Sequence, residues 1–362
     1  MQRLSLTLLL VFAMVMMPIV TSAATGEHGR EVDTAIGGGL KWLASMQMKE
    51  GSEKGSWDSP GYRTAVASLA GLAFLANGYE PGRGEYGQAI DRAMDYVYAS
   101  MNAEGYLGSV ENTMYAHAFC TLFGLAYLGR SQDEAKEKDL TEWCRKAIEL
   151  TKAAQSIRKM DLLEQGGWAY TPYMTSRSDV SVTSWQLQAL HSARQCGYDV
   201  DPAIFQAALR YINSGYEEKM GAFTYRPGKI DPDPAITGVA VFIKSLIEKE
   251  PDERSLKAVD YLMKESPASW GGEQYNGHFF FVTFYLVQGM FQMGGEVWEE
   301  FGPKIQKVLV NNQNGEGYWD FPPDNSNESR KAGLAYPTAM SILILSLEKQ
   351  YLPMYQRQRK FF

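Results

Sequence analysis

The sequence predicts an all-α protein, an (α/α)6 toroid of about twelve helices arranged in six pairs. Two observations predict this fold: a Gly-aromatic turn recurs six times, and long apolar helices follow these turns. From one turn aromatic to the next the steps are 49, 62, 55, 47 and 49 residues, and a period near fifty is typical of repeat architectures. The turns are Gly55-Ser56-Trp57, Gly105-Tyr106, Gly166-Gly167-Trp168, Gly221-Ala222-Phe223, Trp270-Gly271-Gly272 and Gly317-Tyr318-Trp319.

One helix of each predicted pair carries a single apolar stripe. In the segment 86–100, Ile90, Ala93, Met94 and Val97 recur at helical spacing while charged residues occupy the other side. This pattern indicates a surface helix with one buried face. Similar stripes run through Leu140–Trp143–Ala147–Ile148, Ile204–Ala208–Tyr211–Ile212, Leu256–Val259–Leu262–Met263 and Val297–Phe301–Ile305–Val308.

The other helix of each pair is apolar on nearly every side, which predicts complete burial. These helices are 64–75, 115–128, 236–247, 279–290 and 338–347. An open stack of six such pairs would expose apolar surface at both ends, whereas a closed ring buries it. We therefore expect one toroidal domain over residues 25–350, with 351–362 as a C-terminal tail.

The N-terminus reads as an export signal over residues 1–24. Arg3 provides a positive start, 8–20 is an almost unbroken apolar run, and Ser22-Ala23-Ala24 supplies the small residues of a cleavage site. The run is short for a spanning helix, which needs about 20 apolar residues. We expect cleavage after Ala23 or Ala24, a periplasmic or extracellular protein, and no stable membrane span after cleavage.

Charge and cysteine content exclude several classes of function. The net charge is −7, and no cluster of Lys and Arg lies among aromatic residues, so the sequence argues against a nucleic-acid partner. The spacing of the three cysteines, Cys120, Cys144 and Cys196, is not that of a zinc site. An odd number of cysteines cannot all pair, although the sequence allows one disulfide among the three. We expect Cys120 to be buried, and we predict neither a cofactor nor a metal.

Several segments resemble a known family. Residues 43–47 leading to Gly55-Ser56-Trp57, and residues 313–319, resemble the QW-type repeats of the prenyltransferase and squalene–hopene cyclase superfamily. Residues 179–186 and 237–242 resemble the inner-helix starts of bacterial proteins with prenyltransferase and squalene oxidase repeats. The resemblance covers residues 35 to about 348 and implies the same toroid, but its repeats are specific for a fold and not for a reaction.

The catalytic motifs of these relatives are altered here. Squalene–hopene cyclases carry Asp-x-Asp-Asp-Thr-Ala, and the segment 231–237 resembles it with Pro234 in place of the third acid. Zinc-dependent prenyltransferases need a cysteine where this chain has none, since none follows Cys196. Complement-type thioester domains share the toroid, but the matching segment 271–274 lacks the thiol.

In a ring of this kind the first turns of the inner helices surround the central cavity, which predicts the candidate site residues. The candidates for proton transfer are Asp179, Asp233, His117 and His278. The candidates for ligand contact are Tyr62, Arg63, Tyr115, Trp185, Phe279 and Tyr336, with Asp231 also near the rim. Each proton-transfer candidate also has a structural interpretation, because Asp caps helix starts and His occurs in satisfied cores.

The function expected from these residues is binding of an apolar or extended small molecule in an aromatic-lined cavity. The first alternative is an isoprenoid cyclase or lyase with Asp233 as the acid. The second alternative is a polysaccharide lyase or hydrolase, because (α/α)6 toroids also host such enzymes. A third is a protein-interaction scaffold whose cavity is filled by side chains.

Overall fold

The computed structural model describes residues 27–108, 113–131, 133–248, 250–265 and 268–355. The predicted signal peptide and residues 356–362 of the predicted tail lie outside the described residues. Residues of the segment 352–355, also assigned to the tail from sequence, are buried against the inner helices α4 and α6, whose bounds follow.

Helices dominate the described chain, in the alternating order that the sequence predicts. They are α1 Glu27–Met46, α2 Arg63–Leu75, α3 Gly87–Ala99, α4 Met114–Tyr127, α5 Glu134–Ser156, α6 Val180–Gln195, α7 Pro202–Asn213, α8 Pro234–Ile247, α9 Glu253–Glu265, α10 Phe279–Met293, α11 Gly295–Asn311, the short α12 Asn327–Arg330, and α13 Ala335–Leu345. Two short antiparallel strands, β1 Tyr216–Glu217 and β2 Ala222–Phe223, pair with Tyr216 opposite Phe223. None of the described helices combines the length and apolarity needed to cross a membrane.

Six helices form a closed inner ring. Each contacts its neighbours in the order α2, α4, α6, α8, α10 and α13, and α13 returns to contact α2. Helices α3, α5, α7, α9 and α11 each pack outside the inner helix that precedes them, and α1 packs on α13. The structure therefore confirms the predicted α/α toroid, and contact between the first and last helices closes it.

The burial of the inner helices follows from their composition. In α4 every residue except Tyr115 is buried, and in α13 every residue except Tyr336 is buried. Cys120 is buried in α4 as expected, and the three cysteines are free thiols. The outer helices bury only one face, as in α9, where the buried residues include Ala258, Val259 and Leu262.

The Gly-aromatic turns connect neighbouring outer helices through hydrogen bonds. Gln47, at the end of α1, donates from Nε2 to the carbonyls of Gly55 (3.1 Å) and of Ala89 in α3 (2.8 Å). The Trp57 indole N–H donates back to the Leu43 carbonyl in α1 at 2.8 Å. One turn is thereby bonded to two outer helices.

The same arrangement recurs in two further turns. In the first, Gln155 donates to the carbonyls of Gly166 and Ile204, and the Trp168 indole N–H donates to the Thr151 carbonyl. In the second, Gln313 donates to the carbonyls of Gly317 and Ala35, and the Trp319 indole N–H donates to the Leu309 carbonyl. The Gln313 bond to Ala35 spans most of the chain, since it joins the end of α11 to α1. This turn therefore closes the outer layer of the ring.

Glycine is required where this closing turn approaches α1. Gly317 has φ of +100°, and a Cβ at this position would lie 2.5 Å from the Gly38 carbonyl oxygen. A side chain would meet both an unfavourable backbone conformation and a rigid helix backbone.

We predict that Gly317→Ala lowers the free energy of unfolding by about 3 kcal/mol, because backbone strain and a backbone clash add. Urea denaturation followed by circular dichroism measures this change. Gly129→Ala is the matched control, since Gly129 also has positive φ (+75°) but no heavy atom near the added Cβ. The control should cost about 1 kcal/mol; equal losses in the two variants would show that the approach to α1 is unimportant.

Candidate binding cavity

A cavity of about 730 Å³ lies at the end of the toroid where the inner helices begin. Its volume is within the usual range for small-molecule sites. Eight aromatic side chains line it: Tyr62, Tyr115, Phe119, Tyr170, Tyr225, Tyr275, Phe281 and Tyr336. Its polar lining side chains are Thr113, Ser181, Asp233, Asn276, His278 and Ser329. In the part of the chain that the structure describes, no Lys or Arg lines the cavity, and Asp233 is the single carboxylate that does.

The structure brings together five of the residues predicted from sequence. Tyr62, Tyr115, Asp233, His278 and Tyr336 all line the cavity, although they come from five different inner-helix starts. They are neighbours only because the ring closes.

Three predicted ligand contacts lie elsewhere. Arg63 does not line the cavity, and its guanidinium pairs with Glu53 at 3.2 Å. Trp185 is buried outside the lining, where it packs edge-on to the lining residue Phe119 with ring centroids 4.5 Å apart. Phe279 is buried outside the lining, with its ring 4.9 Å from that of Trp270 and 4.8 Å from that of the lining residue Tyr275. Asp231 is exposed and also outside the lining.

His117 is a core histidine that does not line the cavity. Its Nδ1 accepts from the Leu107 amide at 3.3 Å, which leaves Nε2 to donate towards Thr151 (3.0 Å) and Ala147 (3.1 Å) on α5. Burial lowers the pKa of His117 to about 4. The ring is therefore neutral at physiological pH, and its hydrogen bonds are all to core residues.

His278 and Asp233 both reach the cavity. The Nδ1 atom of His278 lies 2.9 Å from the Ser329 hydroxyl, and burial lowers the pKa of the imidazole. Asp233 caps α8, because its Oδ1 accepts from the Ile236 amide at 3.1 Å. The predicted capping role is therefore present, and the carboxylate also lines the cavity.

Asp179 lies one layer behind the cavity wall. It is 2% exposed and caps α6, accepting from the Val182 amide at 3.0 Å. The same carboxylate accepts hydrogen bonds from the hydroxyls of Ser181 and Tyr225, which do line the cavity.

Two further hydroxyls extend this group, which we name the Asp179 cluster: Asp179, Ser181, Tyr225, Tyr115 and Tyr170. The Tyr115 hydroxyl lies 2.6 Å from the Ser181 hydroxyl, and the Tyr170 hydroxyl lies 3.1 Å from that of Tyr225. Burial, reinforced by the charge of Asp179, raises the pKa of all three tyrosines above the ordinary value. The phenols therefore stay protonated at physiological pH.

Sequence reasoning missed several lining residues, of which Tyr170 and Tyr225 had a usable signal. Each stands two positions after a turn aromatic, Trp168 and Phe223 respectively. The turns lead into α6 and α8, so this position meets the cavity wall. Tyr275, Asn276 and Phe281 also line the cavity, within three positions of the predicted candidate His278.

The fold and cavity place the chain among α/α toroids, and comparison with known proteins agrees. No protein-family model matches the chain, and no curated protein matches it significantly. The α-1,6-mannanase GH76A from Salegentibacter is similar in fold, with TM-score 0.62, 9% identity, and coverage of 88% of this chain and 99% of that one.

Two further solved structures are similar over nearly the same span. The type II terpene cyclase MstE from Scytonema, in complex with its substrate geranylgeranyl dihydroxybenzoate, has TM-score 0.58 and 12% identity, covering 89% of this chain and 98% of that one. A protein from Actinoplanes has TM-score 0.57 and 14% identity, covering 87% and 98%. At these identities the likeness concerns the fold alone.

We predict that His117 makes the protein sensitive to acid. Above pH 6.5 the imidazole is neutral in both the folded and the unfolded state and contributes nothing. Below pH 6.5 the unfolded chain binds a proton that the buried ring does not, so stability falls until about pH 4, where the folded pKa lies. The total loss from this residue is about 3 kcal/mol.

Denaturant unfolding at pH values from 7 to 4 tests this, with wild type compared to His117→Gln. Carboxylates titrate in both proteins, so the difference between the two pH profiles isolates the imidazole. Parallel profiles would contradict a buried neutral His117.

Proposed function

We propose that this protein binds an uncharged, predominantly apolar and elongated small molecule in the central cavity. The observation that carries the proposal is the lining itself: eight aromatic rings and, within the described residues, no cationic side chain. Aromatic walls with few polar groups favour apolar ligands. A phosphate or diphosphate placed there would be a desolvated anion without a partner, which is costly.

The cavity also argues against two of the other expectations, the protein-interaction scaffold and the glycoside hydrolase. A scaffold would fill its centre with side chains, whereas this toroid keeps about 730 Å³. Glycoside hydrolysis usually needs two carboxylates on either side of the scissile bond. An inactive variant of the Salegentibacter mannanase carries Asn at two consecutive Asp positions, whereas this chain contains no Asp-Asp pair.

A second candidate function, proton-initiated cyclisation of an isoprenoid, is favoured by the position of Asp233. Its carboxyl group is the one acid along the described lining, and it faces rings that can stabilise a cation through their π faces. The structural similarity to a type II terpene cyclase supports this candidate at the level of fold. The altered segment 231–237 distinguishes the chain from the squalene–hopene cyclase motif, so Asp233 would act without a neighbouring third acid.

We predict that geranylgeraniol binds at least tenfold more tightly than geranylgeranyl diphosphate, and that α-1,6-mannotriose does not bind. The alcohol and the diphosphate share one chain, so the comparison isolates charge. Isothermal titration calorimetry, or quenching of intrinsic tryptophan fluorescence, measures the affinities. Tighter binding of the diphosphate would contradict an uncharged ligand.

A pair of variants locates that binding site. Ala235 and Ala203 both follow a Pro at the start of a helix, but Ala235 lines the cavity and Ala203 is exposed on α7. Ala235→Trp should abolish binding by filling the cavity, and Ala203→Trp should leave it unchanged. Binding that survives Ala235→Trp would place the ligand elsewhere.

For the second candidate we predict that cyclised products form from an isoprenoid alcohol and that Asp233→Asn lowers their rate at least hundredfold. Asn caps helices about as well as Asp, so the fold should persist. Gas chromatography with mass spectrometry detects the products, and Asp201→Asn, which changes the exposed cap of α7, is the control. Absence of products from the unmodified chain would reject cyclase activity without affecting the binding proposal.

A further inference from the structure

The hydrogen bonds of the Asp179 cluster determine where each hydroxyl proton points. A carboxylate only accepts hydrogen bonds, and a hydroxyl has one proton to donate. Oδ1 of Asp179 receives the Ser181 hydroxyl at 2.5 Å as well as the Val182 amide, and Oδ2 receives the Tyr225 hydroxyl. The single protons of Ser181 and Tyr225 are therefore both committed to Asp179.

The outer members of the cluster must then donate inward. Tyr115 lies 2.6 Å from the Ser181 oxygen, whose own proton is already used, so Tyr115 is the donor of that bond. By the same argument Tyr170 donates to the Tyr225 oxygen across 3.1 Å. The raised pKa values of the tyrosines agree with this arrangement, since each phenol keeps its proton. All four hydroxyl protons point away from the ligand and towards the buried carboxylate.

The two end groups consequently present lone pairs to the cavity. Tyr115 and Tyr170 both line it, and their rings lie together with centroids 5.9 Å apart. Phe281 packs edge-on against the Tyr115 ring, also with centroids 5.9 Å apart. The two tyrosine hydroxyls therefore lie beside an apolar part of the lining. This wall therefore accepts hydrogen bonds and has no hydroxyl proton left to donate.

We propose that the ligand carries a hydroxyl group, of an alcohol or a phenol, which donates to Tyr115 or Tyr170 at the Asp179 cluster. This inference rests on the proposed ligand-binding function and names the polar end of that ligand. The oxygen of an ether, ketone or ester only accepts hydrogen bonds, so at this wall it would face the lone pairs of Tyr115 and Tyr170 without a proton between them. A carboxylate or phosphate would in addition be repelled by Asp179 and Asp233. An ammonium group would be attracted by the same two carboxylates, but at this wall its hydrogen-bond partners are neutral phenols, and the Asp179 carboxylate already accepts from Ser181, Val182 and Tyr225.

The test is a series of probes that share one chain and differ in the end group: geranylgeraniol, its methyl ether, geranylgeranoic acid and geranylgeranylamine. The full-length chain should bind the alcohol about tenfold more tightly than the ether, the value of one hydrogen bond of roughly 1.4 kcal/mol. The acid and the amine should bind more weakly than the alcohol.

The variant Asp179→Asn tests the direction of the chain of hydrogen bonds. The introduced amide can donate to Tyr225, which frees the Tyr225 proton for Tyr170 and the Tyr170 proton for the cavity. The tenfold preference for alcohol over ether should then fall to near one. Asp201→Asn is the control, because it makes the same change at the exposed cap of α7, outside the cavity lining. It should leave the alcohol-to-ether ratio unchanged.

If Asp179→Asn does not fold, as judged by its thermal melting curve, Tyr170→Phe provides the same test. It removes one end acceptor and should weaken the alcohol severalfold while leaving the ether unchanged. Equal binding of alcohol and ether by the wild-type chain would overturn this inference and leave the proposed function standing. Tightest binding of the amine would overturn it in favour of a cation site. Failure of every probe would overturn the proposed function itself.

Discussion

Closure of the ring by the last Gly-aromatic turn is the constraint on which the rest of the structure depends. Gln313 bonds to Ala35, and the backbone of Gly317 approaches the Gly38 carbonyl so closely that a side chain is excluded. These contacts bring α11 and α13 against α1, although the chain between them contains every other repeat. Once the ring is closed, all six inner helices start at the same end, and their first turns surround one space. The cavity is thus a consequence of closure and not of any single segment.

Asp179 links this architecture to the chemistry of the cavity. As the cap of α6 it satisfies the Val182 amide, a structural role that many polar residues fill equally well. Only a carboxylate offers a second oxygen that accepts from Tyr225 while the first accepts from Ser181. The helix start therefore fixes the carboxylate, and the carboxylate orients the hydroxyls beyond it. Asp179 lies outside the cavity lining, yet it determines whether the lining hydroxyls donate or accept hydrogen bonds.

The sequence predicted the toroid because its signals are local: apolar periodicity marks burial, and Gly-aromatic pairs mark the turns. It also located the cavity rim, since helix starts can be read from Asp, Pro and Gly. It could not determine which of two adjacent residues faces inward, because successive helical residues differ by about 100°. Hence Tyr62 lines the cavity while Arg63 pairs with Glu53, and Phe281 lines it while Phe279 does not. The imidazole of His117 makes it a candidate for proton transfer from sequence, but the ring bonds to Thr151 of α5, and burial there lowers its pKa to about 4.

The contacts that close the ring in this chain are separate from the residues that line the cavity. In this chain the bonds of Gln47, Gln155 and Gln313 lie among outer helices and turn backbones, whereas the cavity is built from inner-helix starts and loops. Substitutions in the cavity therefore leave the closing bonds intact, in agreement with a fold shared at 9% identity with a mannanase and at 12% with a terpene cyclase. Function in such a protein has to be argued from the lining. Along the described residues, that lining combines aromatic walls, the carboxylate of Asp233 and a tyrosine edge whose hydroxyl protons point towards Asp179, and this combination supports the proposed apolar ligand with a terminal hydroxyl.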